Sequence, residues 1–307
     1  MNTRITAAAQ PIPLKAYALM VLICLLWAGS IPSIRLTETG LPPLAAAAGR
    51  TVAASLMLLA YAWILGLNLR LPSGYFGHGI VLGQLFGLTM LCLYLGMNYT
   101  DAARSSIFYS TKPVWVAVGA HFLLPNDRLT PTRVIGLALA IAGIYLALRT
   151  PLPPEFTRHW LGDGLEILAA LTWSGVALQV KKLTHNPAIT QYHTLAAMLV
   201  YSIPLQTAAA IWLEWGQPLS FTWGVILTFG YQSILAQFLD YLLFFWLISR
   251  YSVSRLSSLT FLVPLGGVML SAVFLHNPAP PSLWLGLLLV IGGIFLVNRP
   301  EPGARAV

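Results

Sequence analysis

Long apolar runs follow one another along the chain, separated by short polar or proline-containing segments. A helix needs about 20 mostly apolar residues to cross the hydrocarbon core of a bilayer. Ten runs approach or reach this length, so the pattern predicts an all-α polytopic membrane protein with ten transmembrane helices. Their approximate bounds are Leu14–Ile34, Leu44–Leu67, His78–Tyr99, Arg104–Leu124, Pro131–Leu148, Gly162–Val180, Gln191–Leu213, Trp223–Ser249, Arg255–Leu275 and Ser282–Asn298.

The chain also contains an internal repeat. Residues 104–149 resemble residues 255–299, and the segment Trp27-Ala28-Gly29 resembles Trp173-Ser174-Gly175. The aligned pairs of the longer match include Pro113 with Pro264, Gly136 with Gly286, and Gly143 with Gly293. Self-similarity of this kind indicates a duplicated unit. The sequence therefore predicts two five-helix repeats, residues 1–150 and residues 151–307.

A unit of five helices begins and ends on opposite sides of a membrane, so its second copy is expected to be inverted. The distribution of basic residues agrees with this topology. If the N-terminus is cytoplasmic, eleven Lys and Arg residues fall on inner segments and four fall on outer loops, with Arg50 and Lys112 left aside as intramembrane. Cytoplasmic loops carry an excess of Lys and Arg. Both termini are therefore predicted to be cytoplasmic.

Composition narrows the class of protein. Apolar residues form 57% of the chain and charged residues only 8%, against about 25% charged in soluble domains. The net charge of +8 does not predict a nucleic-acid partner, because the basic residues stand singly at segment ends. Cys24 and Cys92 lie within apolar runs and are expected to be free thiols. We expect no metal site and no cofactor.

Several motifs carry a resemblance to a known family. They are Trp27-Ala28-Gly29 and its repeat, Tyr99-Thr100-Asp101-Ala102-Ala103, a following helix with Pro113, the turn Asn126-Asp127-Arg128-Leu129, and Gly136 with Gly143. In this order they resemble the ten-helix EamA-type branch of the drug/metabolite transporter superfamily. Within it the chain looks similar to the YddG-type exporters of aromatic amino acids and metabolites. In the second repeat, His276-Asn277-Pro278 lacks the acidic residue of that turn.

The resemblance implies a secondary transporter in the bacterial inner (cytoplasmic) membrane, working by alternating access around a cavity at the membrane midplane. Its partners would be the lipid bilayer and a small-molecule substrate, with protons left open as a further partner. We expect an exporter of amino acids, aromatic or otherwise apolar, or of related metabolites. The alternatives are a nucleotide-sugar or lipid-like metabolite carrier, a channel, and an intramembrane enzyme, for which the sequence shows no reactive motif.

Three charged residues lie at membrane depth, where a charge costs about 2.5–3.5 kcal/mol on insertion scales. Lys112 or Arg50 is expected to neutralise a substrate carboxylate, and Asp240 to meet an ammonium group or a proton. A structural Lys112–Asp240 pair is one alternative, and an Arg50 that extends to the interface is the other. Glu166 lies toward a helix end and is expected at the interface.

The remaining candidates surround these charges or line the same predicted cavity. Gln84, Tyr94 and Asn98 form a polar stripe that predicts either helix–helix contacts or cavity lining. Trp27 and Trp173 are expected either to stack on the substrate or to pack the bundle. Tyr109 shares a helix face with Lys112, and Gln237 shares one with Asp240. Pro113 and Pro264 are expected to kink their helices and act as gates or shape the cavity.

Overall fold

The computed structural model describes residues 12–100, 102–124, 127–147, 158–267 and 281–299, and all regular structure within these ranges is helical. Within these ranges, six helices are long and apolar enough to cross a bilayer. They span Leu14–Thr37, Pro43–Leu65, Phe76–Met97, His159–Leu183, Gln191–Glu214 and Trp223–Arg250. These helices confirm the prediction of an all-α, multi-pass membrane protein. The predicted residues Leu275, His276, Asn277 and Pro278 lie outside the described ranges.

Thirteen helices are numbered here in chain order within the described residues. They are α1 (Leu14–Ala28), α2 (Ser30–Thr37), α3 (Pro43–Leu65), α4 (Phe76–Met97), α5 (Ala102–Tyr109), α6 (Lys112–Leu123), α7 (Pro131–Ala147), α8 (His159–Leu183), α9 (Gln191–Glu214), α10 (Trp223–Ser233), α11 (Asp240–Arg250), α12 (Val253–Ser258) and α13 (Pro281–Asn298). A π-helical segment, Ile234–Leu239, joins α10 to α11. A 3₁₀ turn, Leu259–Phe261, follows α12 and leads into a helical stretch at 262–267.

The helix predicted at 104–124 is a pair of helices in the structure, because the helical backbone is interrupted between Tyr109 and Lys112. Proline has no backbone N–H, and its ring clashes with the carbonyl group four residues earlier. For Pro113 that carbonyl belongs to Tyr109, the last residue of α5. Pro113 therefore sits in the first turn of α6, where proline is tolerated. The break brings Lys112 to the start of α6.

Helices α7 and α13 pack closely through glycines. A Cβ atom at Gly136 would lie 2.7 Å from the carbonyl oxygen of Gly293, and one at Gly143 would lie 2.6 Å from that of Gly286. The two helices are antiparallel here, since the partner number falls as the α7 number rises. Small residues let membrane helices approach backbone to backbone.

Different polar contacts join the helices at the two ends of the bundle. At one end, the Glu214 carboxylate accepts hydrogen bonds from the backbone N–H groups of Leu44 and Ala45, both at 2.8 Å. At the other end, Asp127 accepts hydrogen bonds from the Ser252 hydroxyl at 2.9 Å and the Ser254 N–H at 3.0 Å. Asp127 thereby caps the N-terminus of α12. We call these the Glu214 end and the Asp127 end.

Candidate functional site

A cavity of about 70 Å³ lies between the helices. Its volume is below the roughly 300–1,000 Å³ of typical ligand pockets, so the cavity is small in this conformation. The lining residues come from both halves of the chain, and they include Trp27, Ser30, Arg50, Ser106, Tyr109, Lys112, Trp173, Tyr241, Thr260 and Pro264. The break between α5 and α6 is part of the wall, because Ser110 also lines the cavity.

Lys112 lies among aromatic rings. Its Nζ atom is 3.7 Å from the centre of the Tyr109 ring, 5.7 Å from that of Trp27 and 5.8 Å from that of Trp173. Aromatic faces attract a cation within about 6 Å of the ring centre. The side chain is 8% exposed. The rings hold the ammonium group at the cavity wall without neutralising its charge.

The aromatic residues around Lys112 form a continuous cluster. The Trp27 and Trp173 rings meet edge to face with their centres 6.0 Å apart. The Tyr241 ring lies 5.1 Å from that of Trp173, and the Phe244 ring lies 5.2 Å from that of Trp27. Such pairs add stability beyond the area they bury. The cluster gives the cavity an apolar, rigid side suited to an apolar or aromatic group.

Arg50 is buried and held by polar side chains. Its Nε atom donates a hydrogen bond to Gln237, and its NH1 group donates to the Tyr94 hydroxyl at 3.0 Å and to Gln232 at 3.2 Å. Gln237 also donates to the Thr51 hydroxyl at 2.8 Å. The alternative in which Arg50 extends to the interface is therefore wrong, because the residue is only 4% exposed. The network fixes the guanidinium at the cavity wall.

Asp240 is fully buried at the junction between the π-helical segment and α11. Neither of its carboxylate oxygens meets hydrogen-bond geometry with another described group, and neither does the Trp27 indole nitrogen, although this N–H lies close enough to act on the carboxylate. The charge of Arg50 acts on this carboxylate. The alternative of a Lys112–Asp240 pair is therefore not found in the described structure. Segments of π-helix often occur at functional sites, and this one places an unpaired carboxylate directly before cavity-lining Tyr241.

The other predicted residues lie in different places. Tyr94 and Gln237 are buried beside Arg50, as described above. Gln84 is exposed and donates a hydrogen bond to the Tyr201 carbonyl at 2.7 Å, so it joins α4 to α9. Asn98 is exposed at the C-terminal end of α4. Pro264 lines the cavity, and Pro113 is buried in the first turn of α6.

The sequence did not identify one buried carboxyl group. Glu166 was expected at the interface, but this is wrong because the residue is 0% exposed and accepts a hydrogen bond from the Ser105 hydroxyl at 2.7 Å. Helical spacing could have indicated this inward position, since Glu166 precedes Trp173 by seven residues, about two turns, and therefore shares its face of α8. The prediction of free thiols is confirmed, as Cys24 and Cys92 are buried and unpaired.

Comparison with known proteins finds a family model and several relatives that match most of this chain. The family model of the EamA-like transporters matches residues 14–149 and again residues 160–299. The uncharacterised transporter YvbV of Bacillus subtilis is 26% identical, over 94% of this chain and 93% of its own length. A probable terminal-alkyne amino-acid exporter of Streptantibioticus cattleyicolor is 26% identical, over 95% of this chain and 96% of its own.

A solved crystal structure shares the fold, with a TM-score of 0.76 at 20% identity over 92% of this chain and 96% of that chain. Together with the family match across both halves, these relatives confirm the resemblance found in the motifs. The helices long enough to cross a membrane agree with that assignment. The chain therefore belongs to the EamA-like transporter family.

Proposed function

We propose that this chain exports amino acids, or small zwitterionic metabolites like them, across the bacterial cytoplasmic membrane. The observation that carries the proposal is a cavity whose wall combines two basic side chains, Lys112 and Arg50, with an aromatic cluster. A charge kept at membrane depth is costly and usually faces a cavity or a partner. The substrate would enter from one side and leave from the other by alternating access.

A substrate carboxylate would bind near Lys112 and Arg50. No carboxylate of the described residues forms a salt bridge with Lys112, so its charge is available to a ligand. Arg50 is held by neutral groups, which orient the guanidinium without cancelling its charge. A nucleotide sugar carries several negative charges and would favour more bases than these two. One carboxylate matches the site better.

Asp240 would receive the substrate ammonium group. Its two oxygens lack partners in the described structure, and an unpaired buried carboxylate is strongly disfavoured unless a cation or a proton joins it. Tyr241, the next residue, lines the cavity. The aromatic cluster would then contact an apolar side chain of the substrate. The description of the Streptantibioticus relative as a probable terminal-alkyne amino-acid exporter supports this substrate class.

We also propose that the fold is a 5+5 inverted repeat of ten transmembrane helices with both termini in the cytoplasm. The family model matches the chain twice. The glycine contacts support a twofold relation, because exchanging each glycine for its repeat partner turns the Gly136–Gly293 contact into the Gly286–Gly143 contact. Impermeant thiol labelling of single cysteines added at each terminus tests the topology. Labelling of the two termini from opposite sides would contradict it.

Transport is tested with purified protein in liposomes that are preloaded with unlabelled leucine or phenylalanine. The wild-type protein is expected to exchange the internal amino acid for external labelled amino acid. Lys112→Ala and Asp240→Ala are expected to abolish exchange, whereas Lys182→Ala, at an exposed lysine on α8, should not. Undiminished exchange in both cavity variants would reject the site. Exchange of nucleotide sugars in place of amino acids would reject the substrate class.

A further inference from the structure

A second fully buried carboxyl group, besides that of Asp240, lies outside the cavity. Glu166 of α8 faces α4 and α5 and is 0% exposed. Its Oε1 atom accepts the hydrogen bond from Ser105, and its Oε2 atom has no partner within the described residues. Gly96 of α4 lies opposite, where a Cβ atom would stand 2.9 Å from Oε1. The group thus lies between α4 and α5, and no counter-ion is in direct contact with it within the described part of the chain.

The position of Glu166 relates it to the cavity. Helices α5 and α6 run beside α8 in the same direction, because Ser105 contacts Glu166 and the Lys112 carbonyl accepts a hydrogen bond from Ser174 at 3.0 Å. Seven residues separate Glu166 from Trp173 on α8, which is about 10.5 Å along a helix, and seven residues also separate Ser105 from Lys112 across the break between α5 and α6. In the chain, Tyr109 lies between Ser105, which contacts Glu166, and Lys112, and its ring is in contact with the Lys112 ammonium group.

Several titratable and charged groups surround this carboxyl group. Lys112 on α6, Asp163 on α8 and Arg35 on α2 act on Glu166 electrostatically. Cys92 on α4 and Tyr109 on α5 are in turn acted on by it. Within the described residues, none of the basic groups forms a salt bridge with Glu166. A bare carboxylate in such an enclosure is costly, so this arrangement favours the carboxylic acid.

We propose that Glu166 is a proton-binding site that couples proton entry to substrate export. The proton is held while α5 packs against α8. When α5 separates from α8, water reaches the carboxyl group, the O–H bond breaks, and the proton passes to water while the carboxylate is hydrated. The next proton binds from the opposite side of the membrane before α5 packs against α8 again. This inference rests on the proposed export function for its coupling step, but the protonation of Glu166 is independent of substrate.

Protonation is tested without substrate. The infrared spectrum of the purified protein in lipid at neutral pH is compared with that of Glu166→Gln, which keeps the size of the side chain and the acceptor for Ser105. We expect the wild type to show a carboxylic acid C=O band that Glu166→Gln lacks. Glu214→Gln, at the carboxylate that accepts hydrogen bonds from the Leu44 and Ala45 backbone, is the control and should retain the band. Identical spectra for wild type and Glu166→Gln would overturn the proposal.

Coupling is tested in liposomes with labelled leucine and a gradient of one pH unit. One proton exchanged per leucine corresponds to about tenfold accumulation. We expect this in the wild type, while Glu166→Gln should exchange leucine without accumulating it. Tenfold accumulation by Glu166→Gln would overturn the proposal. Absence of leucine exchange in the wild type would instead contradict the proposed substrate, and the infrared comparison would still decide whether Glu166 holds a proton.

Discussion

The ammonium group of Lys112 lies 3.7 Å from the centre of the Tyr109 ring. The two residues sit on opposite sides of the break between α5 and α6, and each lines the cavity. The ring therefore holds the cation in place across the point where the helix is interrupted. Movement of α5 relative to α6 would change the position of the charge that we propose binds the substrate.

Replacement of Tyr109 tests this relationship. Tyr109→Ala removes the ring, and because a desolvated cation–π contact is worth about 1–2 kcal/mol, we expect leucine to bind about 5- to 30-fold more weakly. Tyr109→Phe keeps the aromatic face and should bind nearly as tightly as the wild type. Leucine affinity is measured by isothermal titration on the purified protein. Equal losses in both variants would show that the hydroxyl group, not the ring, is important.

The support of Arg50 predicts a change in stability. Tyr94→Phe removes a hydroxyl that accepts from Arg50 and donates to Gln232 at 3.1 Å. Leaving buried polar groups unsatisfied costs about 1–3 kcal/mol, so the melting temperature in detergent should fall. Tyr145→Phe, at a residue that is 58% exposed, serves as the control and should melt like the wild type. An unchanged melting temperature in Tyr94→Phe would mean that the network is not maintained.

Asp127 is expected to keep the Asp127 end closed. Besides capping α12, it forms a salt bridge with Arg133 at 2.9 Å. Asp127→Asn weakens both contacts, so the backbone amides of α12 should exchange faster with deuterated solvent. Arg128→Ala, which changes an exposed neighbouring side chain, should leave this exchange unaltered. The measurement is hydrogen–deuterium exchange followed by mass spectrometry. Slower or equal exchange in Asp127→Asn would contradict the closing role.

The contact between α7 and α13 predicts a steric penalty. Gly143→Ala places a methyl group against the Gly286 carbonyl, which is backbone and cannot rotate away. Overpacking of this kind costs about 1–3 kcal/mol, and the melting temperature should decrease. Gly164→Ala is the matched control in α8, because a Cβ atom there has open space around it. Since alanine favours a helix over glycine, this control should be at least as stable as the wild type.

Local pattern predicted much of the fold. Three helices begin at the first residues of predicted apolar runs: α7 at Pro131, α9 at Gln191 and α10 at Trp223. The agreement arises because lipid-exposed helices must be apolar along their whole length. The position of the helix break before Lys112 was not predicted. A proline indicates that a helix is disturbed, but only the surrounding helices decide whether it bends or separates into two.

The sequence by itself determined that this chain is a helical membrane protein, and that Lys112, Arg50 and Asp240 are unusual at their depth. These conclusions depend on composition and on the energetic cost of charge in lipid, which are properties of single segments. Only the tertiary structure decided which partners these charges have, and it placed Glu166 in the interior against Ser105. The interaction partner of each buried charge depends on how helices distant in sequence pack together, and the hydrophobic pattern of a segment does not determine that packing.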